Sequence, residues 1–95
     1  MTFEWDEAKN EQNIRKHGFD FVDAEGVMTG PLPFYARLDR REHYGEDRWQ
    51  GIGVLNGIVV VVIVFTEPQT NVIRIISMRK ATKNERREYE KQIKN

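Results

Sequence analysis

The sequence predicts an α+β domain with helices at both ends of the chain and strands in the middle. Three observations support this fold class: helix caps with helical spacing of apolar residues near both termini, strand-like stretches from residue 34 onward, and an Asn-Gly pair between two apolar stretches. The 95 residues are enough for a single domain. We therefore expect one domain over residues 1–95, with two N-terminal helices, an antiparallel sheet of about four strands and a C-terminal helix.

Two helices are predicted in the first third of the chain. Asp6 is placed as the N-cap of a helix that runs to about His17, and Gly18 tolerates the left-handed backbone that ends helices. Asp20 is placed to cap a second, shorter helix. That helix buries Phe21, Ala24 and Val27 or Met28, and it ends at the Gly-Pro-Leu-Pro stretch 30–33.

Four strands are predicted next, over residues 34–38, 48–55, 58–65 and 72–78. Residues 39–47 are charged and predict an exposed loop, and residues 67–71 contain Pro68 and predict a turn. Asn56-Gly57 predicts a two-residue hairpin, because type I′ turns need positive φ at both central positions. The stretch 58–65 contains no polar residue, which places it at the centre of the sheet or on a dimer interface.

The last helix is predicted from a capping box. Thr82 and Glu85 have the spacing in which each side chain bonds the other residue's amide. The helix continues toward Ile93, and only Tyr89 and Ile93 form its apolar side. We expect this helix to lean on the sheet or on a partner chain.

Composition excludes several classes of protein. The chain has no cysteine, so it has neither disulfides nor a thiolate metal site. Its longest apolar run has eight residues against the roughly 20 that span a bilayer, and its acidic start is unlike a signal peptide, so we expect a soluble cytoplasmic protein without membrane contact. His17 and His43 form no metal-ligand pair, and no phosphate loop, dinucleotide fingerprint or nucleophile elbow is present. We expect no metal and no cofactor.

Charge is distributed unevenly along the chain. Residues 1–47 hold 6 basic and 11 acidic side chains, whereas residues 74–95 hold 8 basic and 3 acidic side chains. This asymmetry indicates either a basic surface for an acidic partner such as nucleic acid, or a solvated helix face.

Cations interrupt the last predicted strand and cluster at its end. Arg74 either pairs with Glu67 or another carboxylate, or uses its rigid fork of donors to hold a phosphate. Strand alternation puts Arg74 and Arg79 on opposite faces, so both serve one site only if the strand bulges or ends before Arg79. The sequence favours an end, because Lys80 already leads toward the last helix. Arg79→Ala is then expected to keep the fold.

The chain resembles the BrnT-like toxins of bacterial type II toxin-antitoxin modules. The resemblance is carried by Phe3-x-Trp5-Asp6-x-x-Lys9, Asn13, Lys16-His17-Gly18, Phe21, Arg48-Trp49, Gly53, Phe65-Thr66-Glu67, the stretch Arg74-Ile-Ile-Ser-x-Arg-Lys-Ala-Thr82, Glu85 and Tyr89. It is weakest across residues 31–47. It implies a RelE-like fold, ribonuclease activity that arrests translation, and neutralisation by a co-encoded antitoxin with a ribbon-helix-helix DNA-binding region. Separately, the small core, the all-apolar strand and the sparse last helix predict a tight complex with the antitoxin, built on dimers.

RNA cleavage without a metal needs cations for the phosphate and groups that transfer protons. The cation candidates are Arg48, Arg74, Arg79 and Lys80, which we expect to converge on the scissile phosphate. The proton-transfer candidates are His17, Lys16 and Tyr89, of which His17 also fits a helix end. Candidates for RNA contact are Trp49, Ser77, Lys83 and Arg86, although a strand Trp beside Gly51 and Gly53 is more often part of a core.

The preferred function is therefore an endoribonuclease toxin acting on single-stranded or ribosome-bound messenger RNA. One alternative is a toxin without catalysis that inhibits a protein target such as gyrase. Another is a plain nucleic-acid-binding domain, which would use the same cations without a proton-transfer group.

Overall fold

The computed structural model describes residues 1–39 and 45–94 and confirms the α+β class. Within these ranges it contains three α-helices and five strands. In chain order the elements are β1 (Thr2–Glu4), α1 (Glu7–His17), a 3-10 turn (Phe21–Asp23), α2 (Ala24–Thr29), β2 (Tyr35–Leu38), β3 (Trp49–Leu55), β4 (Val59–Gln69), β5 (Val72–Lys80) and α3 (Lys83–Lys94). Most of the predicted charged loop, with His43, lies outside the described residues.

The sheet has the order β1-β5-β4-β3-β2. Its four longer strands pair antiparallel, as predicted, and β4 is interior. The expectation of about four strands misses β1, which pairs parallel with β5 through Thr2↔Val72, Phe3↔Ile73 and Glu4↔Arg74. A three-residue strand has no periodicity of its own, and its partner lies about seventy residues further along the chain.

α1 has the predicted caps and a polar side toward the sheet. The Asp6 side chain accepts from the Lys9 amide at 3.1 Å, and Gly18 adopts φ 80°. The buried side chain of Asn13 donates to the Met78 carbonyl at 2.9 Å and accepts from the Met78 amide at 3.1 Å. Because β1 pairs β5 only as far as Arg74, Asn13 satisfies backbone groups of β5 beyond the end of β1.

The start of the second helical segment is a 3-10 turn. Asp20 accepts from the Val22 amide at 3.0 Å, so it caps this turn, and α2 follows from Ala24. Hydrogen bonds from the Val22 amide and from Asn10 hold the pKa of the Asp20 carboxyl below its ordinary value.

The core lies on the face of the sheet that α1, the 3-10 turn and α2 cover. The ring of Phe34 lies over Gly51 and Gly53, where any side chain would overlap it. The buried core residues are Phe21, Ala24, Val27, Val61, Ile63, Phe65, Ile73, Ile75 and Met78.

Two turns join the last three strands. Asn56 and Gly57 have φ 54° and 70°, the positive values that the prediction required, but Leu55 pairs with Val59, so the loop has three residues (56–58) and not the predicted two. The prediction that residues 67–71 form one turn is wrong at its start, because β4 continues to Gln69. The pairing register shifts between Thr66 and Gln69, so Pro68 stands where the ladder is interrupted and its missing N–H costs no ladder bond.

α3 packs on the other face of the sheet. The capping box is present, with the Thr82 amide 2.8 Å from Glu85 Oε1 and the Glu85 amide 3.2 Å from Thr82 Oγ1. Tyr89 is buried, and its hydroxyl donates to the Pro33 carbonyl at 2.6 Å. Ile93, predicted on the same apolar side, is 46% exposed.

Candidate functional site

A bulge in β5 decides which cations share a face. Phe65 pairs with Ile75 and Val64 pairs with Ser77, which leaves Ile76 as an extra residue in the ladder. The alternation of side chains is therefore reset, and Arg74 and Arg79 point to the same face. The expectation that the strand ends before Arg79 is wrong, because β5 continues to Lys80.

The register places further polar residues beside Arg74 on this face. Arg74 pairs with Thr66 of β4. Arg48 precedes Trp49, the partner of Phe65, and so lies on the other side of Thr66. The next row of paired residues on this face begins with Ser77 of β5, which pairs with Val64 of β4. Val64 also pairs with Gln50 of β3, and Gln50 pairs with Arg37 of β2. We call this surface the arginine face; it consists of Arg37, Arg48, Gln50, Val64, Thr66, Arg74 and Ser77.

Arg74 is exposed and bound to a carboxylate at the sheet edge. Its Nε lies 2.7 Å from Glu4 Oε2, so its partner is Glu4 of β1 and not Glu67. A guanidinium also carries donors on its two terminal nitrogens. Those nitrogens remain suited to binding a phosphate, since the contact with Glu4 is made through Nε.

Arg48 is half-buried at the start of β3. Its Nε lies 3.9 Å from Glu46 Oε1, and its side chain is 25% exposed. Thr66 lies between Arg48 and Arg74 and is 2% exposed. Within residues 1–39 and 45–94, the Thr66 hydroxyl has no hydrogen-bond partner. A buried hydroxyl without a partner destabilises the fold. Thr66 therefore places an unsatisfied polar group between the two arginines.

Arg79 is held by the last helix. Its two terminal nitrogens donate to the two carboxylate oxygens of Glu85 at 2.8 and 2.9 Å. These bonds, with further help from the Thr82 amide, lower the pKa of Glu85 to about 2. Arg79 thus fastens the N-terminus of α3 to β5, which contradicts the expectation that it lies beyond the strand and contributes little to the fold.

Lys80 lies on the opposite face from Arg79. It pairs with Val61, a core residue, whereas Arg79 pairs with Val62. The predicted convergence of both cations with Arg48 and Arg74 is therefore not what the register gives.

Of the three proton-transfer candidates, Lys16 and His17 lie on the opposite side of the sheet, whereas Tyr89 of α3 lies near Arg37 and Gln50 of the arginine face. Lys16 and His17 occupy the last turn of α1, which packs on the core face of the sheet, opposite the arginine face. Tyr89 bonds the Pro33 carbonyl, and its ring meets Tyr35 at a centroid distance of 5.9 Å. Burial, with a smaller contribution from Tyr35, raises the pKa of Tyr89.

The remaining candidates are also separated. Trp49 pairs with Phe65 and packs half-buried against the core, which is its alternative interpretation. Lys83 and Arg86 are exposed on α3. Only Ser77 joins Arg48 and Arg74. Sequence reasoning missed Glu4, Arg37, Gln50 and Thr66, and the one available indication was that Thr66 is the first polar residue after an apolar run.

A groove borders the arginine face where α3 crosses β2 and β3. It has a volume of about 460 Å³. Its lining includes Tyr35, Arg37, Gln50, Ile52, Val62, Asn84 and Tyr89.

Residues 1–39 and 45–94 contain neither a metal-binding cluster nor a helix that could span a membrane. No group of three or more His, Cys, Asp or Glu side chains is gathered there to hold a metal ion. No helix in the same ranges is long and apolar enough to cross a membrane.

The fold and the arginine face together define a small α+β protein with a cationic sheet surface suited to a polyanion. Residues 5–85 match the family model described as the ribonuclease toxin BrnT of a type II toxin-antitoxin system. The match covers most of the chain, and the chain belongs to the BrnT toxin family, as the resemblance indicated.

A solved structure supports the assignment. The crystal structure of the Brucella abortus ribonuclease toxin BrnT has a TM-score of 0.65 and 32% sequence identity to this chain. The alignment covers 87% of this chain and 99% of the Brucella chain. A search of curated proteins gave no significant match.

Proposed function

We propose that this chain is an endoribonuclease toxin that cleaves RNA without a metal ion, stops translation and growth in the cytoplasm, and is neutralised by a co-encoded antitoxin. Membership of a family described as ribonuclease toxins supports the activity. The observation that supports the site is the β5 bulge, which puts Arg74 and Ser77 in register with neighbours of Arg48 on one face. The RelE-like relationship implied by the resemblance stays a prediction.

In the proposed site, Arg74 and Arg48 hold the scissile phosphate from the two sides of Thr66. RNA cleavage by the 2′-hydroxyl builds negative charge on the phosphate oxygens, and fixed guanidinium groups stabilise that charge. Arg74 belongs to β5 and Arg48 directly precedes β3, so the sheet holds the two stems on either side of β4 and little reorganisation is needed when substrate binds. Ser77 adds a hydroxyl one step along β5.

The 2′-oxygen bonds to phosphorus as the P–O5′ bond breaks, so a base must take the proton of the 2′-hydroxyl and a proton must reach the departing 5′-oxygen. Glu4 places a carboxylate on this face beside Arg74. We therefore propose Glu4 in this role. His17 and Lys16 lie on the opposite side of the sheet, and the Tyr89 hydroxyl is bonded to the Pro33 carbonyl. Glu4→Gln keeps the shape of the side chain and removes the base, so cleavage should fall by roughly 10²–10⁴-fold.

The test is cleavage of purified RNA in excess EDTA, with the product ends mapped. Arg74→Thr should lower the rate by roughly 10²–10³-fold, the usual cost of one preorganised contact to the transition state. Arg87→Thr, an exposed arginine on α3, is the matched control and should cut at the wild-type rate. If Arg74→Thr also cuts at that rate, the active site does not lie on the arginine face.

Physiology separates this function from the two alternatives. Induction without antitoxin should lower protein synthesis before DNA synthesis. An early fall in DNA synthesis with intact RNA would favour a toxin that inhibits gyrase or another protein. RNA that is bound but never cut would favour a plain binding domain.

The proposed partner is an antitoxin with a ribbon-helix-helix DNA-binding region, in a complex built on dimers. Three exposed apolar residues support a covered surface, since Val22, Leu32 and Ile58 are 61%, 44% and 83% exposed. Size exclusion of the co-expressed pair at micromolar concentration should give one peak. Two separate peaks would contradict a tight complex.

A further inference from the structure

The groove beside the arginine face has a floor of mixed character. Gln50 pairs with Arg37, and two residues further along β3 Ile52 pairs with Tyr35. The floor therefore runs from a carboxamide and a guanidinium to apolar side chains and a ring. On the α3 side the groove is lined by Asn84, Glu85, Glu88, Tyr89 and Gln92. Ligand sites commonly combine an apolar contact surface with polar groups that set orientation.

The ring of Tyr35 is fixed in place. It meets the ring of Tyr89 edge to face, and its hydroxyl lies 3.3 Å from the Gln92 carbonyl. Tyr35 is 37% exposed, so part of the ring faces the groove. An aromatic side chain of this kind offers a contact surface for a flat base at little conformational cost.

Gln50 is the polar group best placed to read such a base. Its side chain is half-buried, and within the described ranges it makes no side-chain hydrogen bond that would fix it otherwise. A carboxamide presents one donor and one acceptor side by side. It therefore suits a ligand edge with the complementary pair.

The distance from the proposed phosphate contacts to the groove matches the distance from a phosphate to its base within one nucleotide. Arg48 lies one residue before β3 and two residues before Gln50, a separation of about 6.6 Å in extended backbone. A phosphate held at Arg48 and Arg74 thus leaves the attached base beside Gln50.

We propose, resting on the function proposed above, that the groove binds an adenine base of the RNA next to the scissile phosphate and that Gln50 determines this preference. Glutamine pairs bidentately with the amino group and a ring nitrogen of adenine. Tyr35 and Ile52 contact the plane of the base. Arg37 stands exposed at the rim and contacts the adjoining phosphate.

The experiment uses synthetic RNAs with each of the four bases at every position, cut by the full chain and mapped at nucleotide resolution. Wild-type protein should favour adenine at one fixed position beside the cut by roughly 5- to 150-fold, the value of one bidentate base contact. Gln50→Ala should bring this ratio close to one. Gln12→Ala, an exposed glutamine on α1, should leave the ratio unchanged.

Two outcomes overturn the proposal while leaving ribonuclease activity intact. One is wild-type cleavage without a base preference beside the cut. The other is a base preference that persists in Gln50→Ala. A guanine preference that persists in Gln50→Ala and disappears in Arg37→Ala would show that Arg37 selects the base.

A second readout does not depend on cleavage. Short oligonucleotides with a 2′-deoxy sugar at the cleavage position lack the attacking 2′-hydroxyl and are not cut there. Their binding is measured by fluorescence anisotropy. Stronger binding of adenine-containing strands that is lost in Gln50→Ala supports the groove even if the proposed ribonuclease activity fails. Equal binding of all four bases overturns it.

Discussion

Replacement of Arg79 by alanine tests whether this residue stabilises the fold or takes part in catalysis. Arg79 makes two hydrogen bonds to Glu85, at 2.8 and 2.9 Å, and Glu85 in turn accepts from the Thr82 amide. The substitution therefore removes the connection between β5 and the first turn of α3. We expect the chain to lose stability, because the Glu85 carboxylate is left partly desolvated without its cation.

The size of the loss follows from the exposure of the pair. The side chains of Arg79 and Glu85 are 30% and 29% exposed. Exposed ion pairs contribute about 0–1 kcal/mol, and hydrogen bonds to charged groups about 1.5–3 kcal/mol. A bidentate pair of intermediate exposure should then contribute about 2 kcal/mol, which lowers Tm by about 8–16 °C in a domain of this size.

The assay is urea unfolding followed by circular dichroism for Arg79→Ala, Glu85→Gln and the double variant. If the two residues stabilise the protein through each other, the double variant loses less than the sum of the single losses, by about 1 kcal/mol or more. RNA cleavage is measured on the same samples, at a temperature where each variant is folded.

One result would refute this reasoning. If Arg79→Ala unfolds at the wild-type urea concentration and yet loses cleavage by two orders of magnitude or more, Arg79 contacts the phosphate during catalysis. The contact with Glu85 would then be a resting arrangement of the free protein.

Two more predictions concern the pH dependence of the Glu85 contact and the hydrogen bonds of Asn13. The pKa of Glu85 is lowered from 4.5 to about 2, so its stabilising effect is fully present above about pH 4.5 and is lost as the pH falls toward 2; unfolding free energies between pH 2 and 6 should show this loss in wild type and a weaker one in Glu85→Gln. Asn13→Ala removes the partner of both backbone groups of Met78, and it should cost about 2–4 kcal/mol in urea unfolding, whereas Gln12→Ala should cost at most about 0.5 kcal/mol.

Local features of the fold were predictable because their determinants are close in sequence. Asp6 and Gly18 bound a helix whose hydrogen bonds span three or four residues, and the Asn56-Gly57 turn depends on two residues only. The Thr82–Glu85 capping box is equally local. Each motif therefore formed where the sequence placed it.

The elements that were missed depend on partners far away in the chain. β1 exists because Thr2–Glu4 finds the edge of β5, and nothing within those three residues indicates it. The same edge supplies Glu4 as the partner of Arg74, seventy residues distant; the sequence indicated a carboxylate partner but could name only the nearer Glu67.

The bulge at Ile76 is the feature on which the site depends, and an alternation rule cannot locate it. Ile76 is as apolar as its neighbours, so an extra residue there leaves no trace in the hydrophobic pattern. In a regular strand without the bulge, Ser77 and Arg79 would point to the face that α1 and α2 cover.

The two arginines of β5 look alike in sequence but differ in what surrounds them. Arg79 is satisfied at both terminal nitrogens by Glu85, six residues on, so its loss should appear first in stability. Arg74 is 47% exposed, and its contact with Glu4 is a surface ion pair of the kind that contributes about 0–1 kcal/mol. Its loss should appear in RNA cleavage with little change in unfolding. Stability and cleavage measured together on both variants therefore distinguish a cation that fastens the last helix from one that acts on substrate.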